Sequence, residues 1–164
     1  MHPDDCPSWE YSRVPNYSLA LRQKLSEVLV QLRRGLIDAL PTAQDTRSVH
    51  RTLFQALTPP DCLYYAGHYR GENFRCLQHY KVHVPGDTRV GFPPQVVAGY
   101  MLELSGQIRE GLAALDEAAK LPGGQFSEED KVLFVVMFAC RVFEAFLRIH
   151  PYANGNGHLG RFLI

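Results

Sequence analysis

The sequence lacks a surplus of charge: 17 lysines and arginines balance 17 aspartates and glutamates over 164 residues. Proteins that coat DNA or lie on a membrane surface draw affinity from clustered excess basic charge, so neither a nucleic-acid nor a membrane partner is expected. Paired cysteines are missing too. Cys6, Cys62, Cys76 and Cys140 are widely spaced and form no CxxC, whereas a zinc site usually shows two closely spaced ligand pairs. Scattered in this way they read as reduced thiols of a cytosolic protein, with Cys140 a small core residue in an apolar run. Nor is there a long hydrophobic stretch. The longest, Val132 to Cys140, is far too short to cross a bilayer, and Met1 to Glu10 is polar and proline-containing, unlike a secretory leader. These absences predict a soluble, cytoplasmic protein.

What is present is an ordinary globular composition, 46% apolar and 21% charged, in a chain long enough for one real core. Residues 1–17, punctuated by Pro3, Pro7 and Pro15, read as an irregular lead-in, and residues 18–164 as one helical domain. Leu21, Leu25, Val28, Leu32 and Leu36 recur at spacings of three and four, which predicts a helix from Ser18 to Leu40 stopped by Pro41. A shorter helix follows from Thr46 to Leu57. Between Asp61 and Pro94 the period changes: Tyr80 to Val84 alternates, Pro85-Gly86-Asp87 supplies turn chemistry, and Thr88 to Val90 resumes. That predicts a small β-hairpin. Pro94 suits the first turn of a third helix running to Lys120, with Gly99, Gly106 and Gly111 as points where it can bend. Ser127-Glu128-Glu129-Asp130 is a capping-box pattern opening a helix to Ile149. That helix is apolar almost all round, so it is expected at the buried centre of an all-α domain.

The segment from His150 to Arg161 carries the chemistry. Pro151 disfavours helical geometry in the residue before it, which ends the long helix at His150. Gly155, Asn156 and Gly157 form a glycine-rich turn feeding another helix, and such a turn points free N–H groups into one concavity suited to an anion. Arg161 falls one turn into that helix, where a guanidinium can clamp a phosphate bidentately. A neutral imidazole at the rim, His150, can take a proton from an attacking hydroxyl. Alone, Asn-Gly-Asn-Gly is a plain turn and Tyr152 a core aromatic. Base, anion cradle and cation together describe phosphoryl or nucleotidyl transfer.

The segment resembles the signature loop of Fic-domain proteins, His-x-Phe-x-(Asp or Glu)-Gly-Asn-Gly-Arg-x-x-Arg. His150, Gly155, Asn156, Gly157 and Arg161 match it, with Tyr152 in place of phenylalanine. Upstream, Leu53-Phe54, the stretch from Tyr65 to Arg70, and Val90-Gly91-Phe92-Pro93-Pro94 are similar to the family's approach to its flap and exit from it. The resemblance implies an all-α Fic-type domain with a β-hairpin flap. It implies ATP as donor and AMP transfer to a Ser, Thr or Tyr hydroxyl of a target protein. It makes His150 the general base, Gly155, Asn156, Gly157, His158 and Arg161 the nucleotide-binding residues, and Lys81, Val82, His83 and Val90 the flap residues that hold the target by backbone pairing. It also implies a cytoplasmic site of action, or a host cytosol for a delivered effector.

Two positions depart from the pattern. The family's acidic, magnesium-holding residue is Asn154 here, whose amide oxygen can ligate Mg2+ but adds no charge. The family's first arginine is His158, shorter and mostly neutral at pH 7. The alternative to an active AMP transferase is therefore a catalytically impaired Fic-like module that still binds nucleotide or partner. The glutamate-bearing inhibitory helix motif is not found here, so any restraint is expected from a separate inhibitory chain or from sequence not present. The resemblance also implies that the fold continues beyond Ile164.

Overall fold

A computed structural model describes residues 6–82, 86–122 and 125–164. Its described elements are helical. They comprise α1 (Tyr17–Arg33), α2 (Ala39–Gln44), α3 (Arg47–Phe54), α4 (Pro94–Lys120), α5 (Glu128–Ile149) and α6 (Asn156–Phe162). Short 3-10 turns occupy Tyr11–Arg13, Gln55–Leu57 and Pro60–Tyr65. The all-α expectation holds.

The first helix ends earlier than its apolar stripe suggests. Gly35 takes a left-handed φ of 66°, and the amides of Gly35 and Leu36 bond back to the carbonyls of Leu32 and Gln31. This is a glycine C-terminal motif, which closes α1 before Pro41 is reached. Pro41 instead sits in the first turn of α2, where its missing N–H removes no helix bond. By contrast α4 runs unbroken through its three glycines. At Gly111 an added Cβ would lie 2.0 Å from the Phe138 ring, so that glycine lets α4 and α5 approach closely.

α4 packs along α5, α6 folds back on α5, α2 rests on α4, and α1 rests on α3. The core gathers where these pairs meet, around Phe54, Tyr65, Leu77, Val97, Phe146, Tyr152 and Leu159. Ser127 caps α5 by accepting from the Asp130 amide at 3.1 Å; the Asp130 carboxylate accepts from the serine hydroxyl rather than reaching back to its amide. α5 is not buried throughout. Only Val142, Phe146 and Ile149 are buried in it, whereas every residue from Val132 to Met137 is 46–64% exposed, and Cys140 is exposed as well. Six successive apolar residues cannot all face one partner helix, and α4 covers a single side.

One further expectation is corrected. Cys6 and Cys76 form a disulfide, with Cα atoms 5.6 Å apart, so not all four thiols are reduced; Cys62 and Cys140 are free. Disulfides of this kind persist in oxidising surroundings. The expected hairpin falls partly outside the described residues, at His83, Val84 and Pro85; of the rest, Tyr80–Val82 is irregular and Gly86–Val90 is turn and bend with an isolated β-bridge at Asp87. The two limbs still approach. Gly91, with φ 86°, lies so close to Val82 that a Cβ there would be 2.5 Å from the valine side chain. Its amide donates to the Arg148 carbonyl at 2.9 Å, which ties that limb to the end of α5.

Candidate functional site

His150 caps α5 with φ 53° and ψ 62°, a left-handed backbone outside the helix. The sequence expectation of a stop at this residue holds, although the conformation is not the extended one usual before proline. Its Nδ1 lies 3.3 Å from the Leu147 carbonyl. A carbonyl only accepts, so Nδ1 carries the proton and Nε2 keeps the lone pair. Burial, and then the Arg70 charge, hold the imidazole below its ordinary pKa, while the Leu147 bond acts the other way. The ring is therefore neutral at pH 7.

The loop after it is closed by its own side chains. Asn156 is 2% exposed; its Oδ1 accepts from the Tyr152 amide and its Nδ2 donates to the Tyr152 carbonyl, both at 2.9 Å. That side chain staples the turn, which leaves its backbone N–H as its contribution at the helix start. Gly155 adopts φ 81°, and a Cβ there would fall 2.6 Å from the Phe54 ring. Tyr152 is fully buried, hydrogen-bonds Thr46 Oγ1 at 2.7 Å and stacks on His50 at 3.7 Å.

α6 begins at Asn156, and the amides of the first turn of a helix have no partner within it. Arg161 lies on the same face as Gly157, its Nη2 3.7 Å from where a Gly157 Cβ would stand. The guanidinium thus folds back over the helix start, as the spacing of four predicts. His158 is half-buried, with its ring 6.1 Å from both Tyr11 and Phe54. Burial, then Arg161, lower its pKa, so it is a neutral group rather than a second cation. The structure brings His150, Gly155, Asn156, Gly157, His158 and Arg161 onto one loop and helix start.

The family model for the Fic/DOC family matches residues 40–164. The chain belongs to the Fic/DOC family. No curated protein and no solved structure matches it. Members of the Fic/DOC family in general transfer a nucleotide monophosphate to proteins.

Both departures from the Fic signature turn toward the segment ahead of α1. Asn154 Nδ2 donates to the Trp9 carbonyl at 2.6 Å, and its Oδ1 accepts from the Gly155 amide at 2.7 Å. An aspartate there could not make the first of these bonds, because a carboxylate has no proton to give. Asn154 thus offers a magnesium ion only a neutral amide oxygen that already accepts one hydrogen bond, and no group of three or more His, Cys, Asp or Glu residues suited to a metal occurs among the described residues.

Several residues that build this Fic site carry no motif. Trp9, 3% exposed, donates Nε1 to the Leu57 carbonyl and packs among His50, Phe54 and Tyr65. His50 is fully buried; its Nδ1 accepts from the Gly67 amide, so Nε2 donates to the Asn154 carbonyl at 3.0 Å. Burial pushes its pKa down to about 3. Arg70, 1% exposed, donates to four backbone carbonyls. In the sequence Trp9 and His50 look like any tryptophan or histidine, and Arg70, though it closes the stretch from Tyr65 to Arg70 that resembles the family, shows nothing of its contacts, since these partners lie far along the chain. Of the flap residues, Lys81 and Val82 line a cavity of about 280 Å3 with Arg70, Gly91 and Phe92, and Val90 lines a separate groove with Arg148.

Proposed function

We propose that this protein moves AMP from ATP onto a hydroxyl of a target protein. The observation that carries this reading is the Nδ1 contact of His150 with the Leu147 carbonyl, which leaves Nε2 as a base. That base stands at the entrance of the loop whose far end holds Arg161. The hydroxyl oxygen attacks the α-phosphorus and its proton passes to His150 Nε2. A new P–O bond forms as the bond to the β-phosphate oxygen breaks, and pyrophosphate leaves with the electron pair. The backbone amides of Asn156 and Gly157 and the Arg161 guanidinium offset the charge on the phosphates, with positioning and electrostatics supplying most of the rate. Lys81, Val82 and Val90 flank the path of the target segment.

A second reading, nucleotide binding without transfer, has one observation in its favour: Asn154 and His158 serve the Trp9–Tyr11 segment instead of a metal or a phosphate. Incubation of the protein and candidate substrates with ATP labelled on either the α- or the γ-phosphate separates the two. Protein-bound label from the α position alone supports transfer of AMP. Saturable ATP binding with no protein-bound label from either position supports the second reading.

A further inference from the structure

We propose that Arg70 is the positioning residue for His150, a single guanidinium that fixes the backbone of the base and ties it to both ends of the flap. The proposal rests on the AMP-transfer reading for what the base does, but its geometry stands alone. Nε donates to the His150 carbonyl at 2.7 Å and Nη2 to the Ile149 carbonyl at 3.0 Å. Nη2 also donates to the Phe92 carbonyl at 3.0 Å, and Nη1 to the Tyr80 carbonyl at 3.1 Å. The Arg70 backbone amide donates to the Pro151 carbonyl at 2.8 Å. One residue thus holds three successive carbonyls, 149 to 151, together with the entry and exit of the flap.

Such a contact set is a poor way to gain stability. Arg70 is buried, and no ion pair to a carboxylate is found for it among the described residues. Burial pushes its pKa down to about 10. A buried charge without a counter-charge costs more than an apolar group of the same shape. Its compensation comes from carbonyls at the C-terminal end of α5, where the helix dipole is negative. What it secures is geometric. His150 has a left-handed backbone, a conformation that persists in a residue with a Cβ only when its surroundings enforce it. Bonds to the carbonyls on both sides of that φ and ψ pair provide the enforcement. The same guanidinium fixes Tyr80 and Phe92, so base and flap share one frame. A lysine there offers three donors from one point and cannot span four carbonyls.

Other charges near the loop are directed elsewhere. Arg148 faces Glu144 at 3.9 Å, Arg161 acts on Tyr11 and His158, and His79 and Lys81 line the flap cavity. Arg70 is the charge that bears on His150.

The test uses the whole chain with Arg70→Lys and Arg70→Met, following the His150 imidazole resonances by NMR against pH, with kcat and KM for transfer measured in parallel. Arg70→Met is expected to move the His150 titration midpoint upward, since a positive neighbour is lost. Arg70→Lys should leave the midpoint near wild type. Both should lower kcat by about tenfold to 10²-fold with ATP KM little changed, the scale of a base displaced by about an ångström. A fold that merely loosens would lower thermal stability and, by admitting water to the ring, would raise the midpoint in both variants alike. If Arg70→Met does not fold, the lysine variant decides: folded protein with wild-type kcat overturns the proposal. An unchanged His150 midpoint in folded Arg70→Met also overturns it. Should wild type transfer nothing, the AMP-transfer reading fails, while the titration still shows whether Arg70 governs His150.

Discussion

His150 meets two demands with one residue: its backbone ends a helix, and its ring keeps a proton on Nδ1 and a lone pair on Nε2. Its lowered pKa means that the base stays unprotonated at acidities where an ordinary histidine has taken up a proton. Activity should therefore fall on the acid side only below the usual imidazole range. An initial-rate profile from pH 5 to 8 checks this, and a midpoint at or above about 6.5 would disagree. Arg161 is tested by nucleotide affinity. Arg161→Ala should weaken ATP binding about tenfold or more and AMP binding less, because the lost contact is with phosphates that AMP lacks. Calorimetry of both nucleotides decides it; equal weakening would remove Arg161 from the site.

At the scale of elements, helix existence was legible and helix limits depended on chemistry the periodicity does not carry. α4 begins at Pro94 and ends at Lys120 as its sequence predicts, with Pro94 in its first turn and its three glycines leaving it unbroken. The apolar stripe of α1 outlasts the helix, since Gly35 in a left-handed turn overrides it. The loop was legible because its glycines and Asn156 lie within a few residues of their own partners. The strap formed by residues 6–16 was not, since Trp9 reaches Leu57 and Asn154 only after folding. That strap is anchored by Cys6–Cys76, which closes a loop with a sequence separation of 70. Closing a loop of that length stabilises by roughly 2–4 kcal/mol. Cys6→Ser should lower thermal stability to the level that reduction gives wild type, and reduction should have no further effect on the variant. Trp9 is the sole tryptophan, so its fluorescence reports the strap directly. A red shift on reduction of wild type is expected; an unchanged spectrum would mean that the strap stays docked without the disulfide.

The whole molecule couples the loop to its core through buried polar groups. His50 stacks on Tyr152 and bonds the loop at Asn154, yet it is fully buried and its pKa is pushed down to about 3. Unfolded, the same imidazole titrates near 6.5, so below that pH the unfolded chain binds the extra proton. The His50 contribution is complete above about pH 6.5 and is lost as pH falls toward 3, by up to about 1.4 kcal/mol per pH unit. Melting temperatures from pH 7 to 4 should therefore decline, with a shallower slope in His50→Gln. Parallel slopes would show that other groups carry the acid sensitivity.

The central claim is that His150 activates a protein hydroxyl for attack on the α-phosphate of ATP. Its most direct test is mass spectrometry of a substrate protein after incubation with ATP and either wild type or His150→Ala. Removing a general base costs on the order of 10²–10⁴ in rate while nucleotide binding stays within a few-fold. The account predicts AMP on a serine, threonine or tyrosine oxygen with wild type and near-complete loss of it with the variant, at comparable ATP affinity. AMP transfer at an undiminished rate by His150→Ala would contradict it.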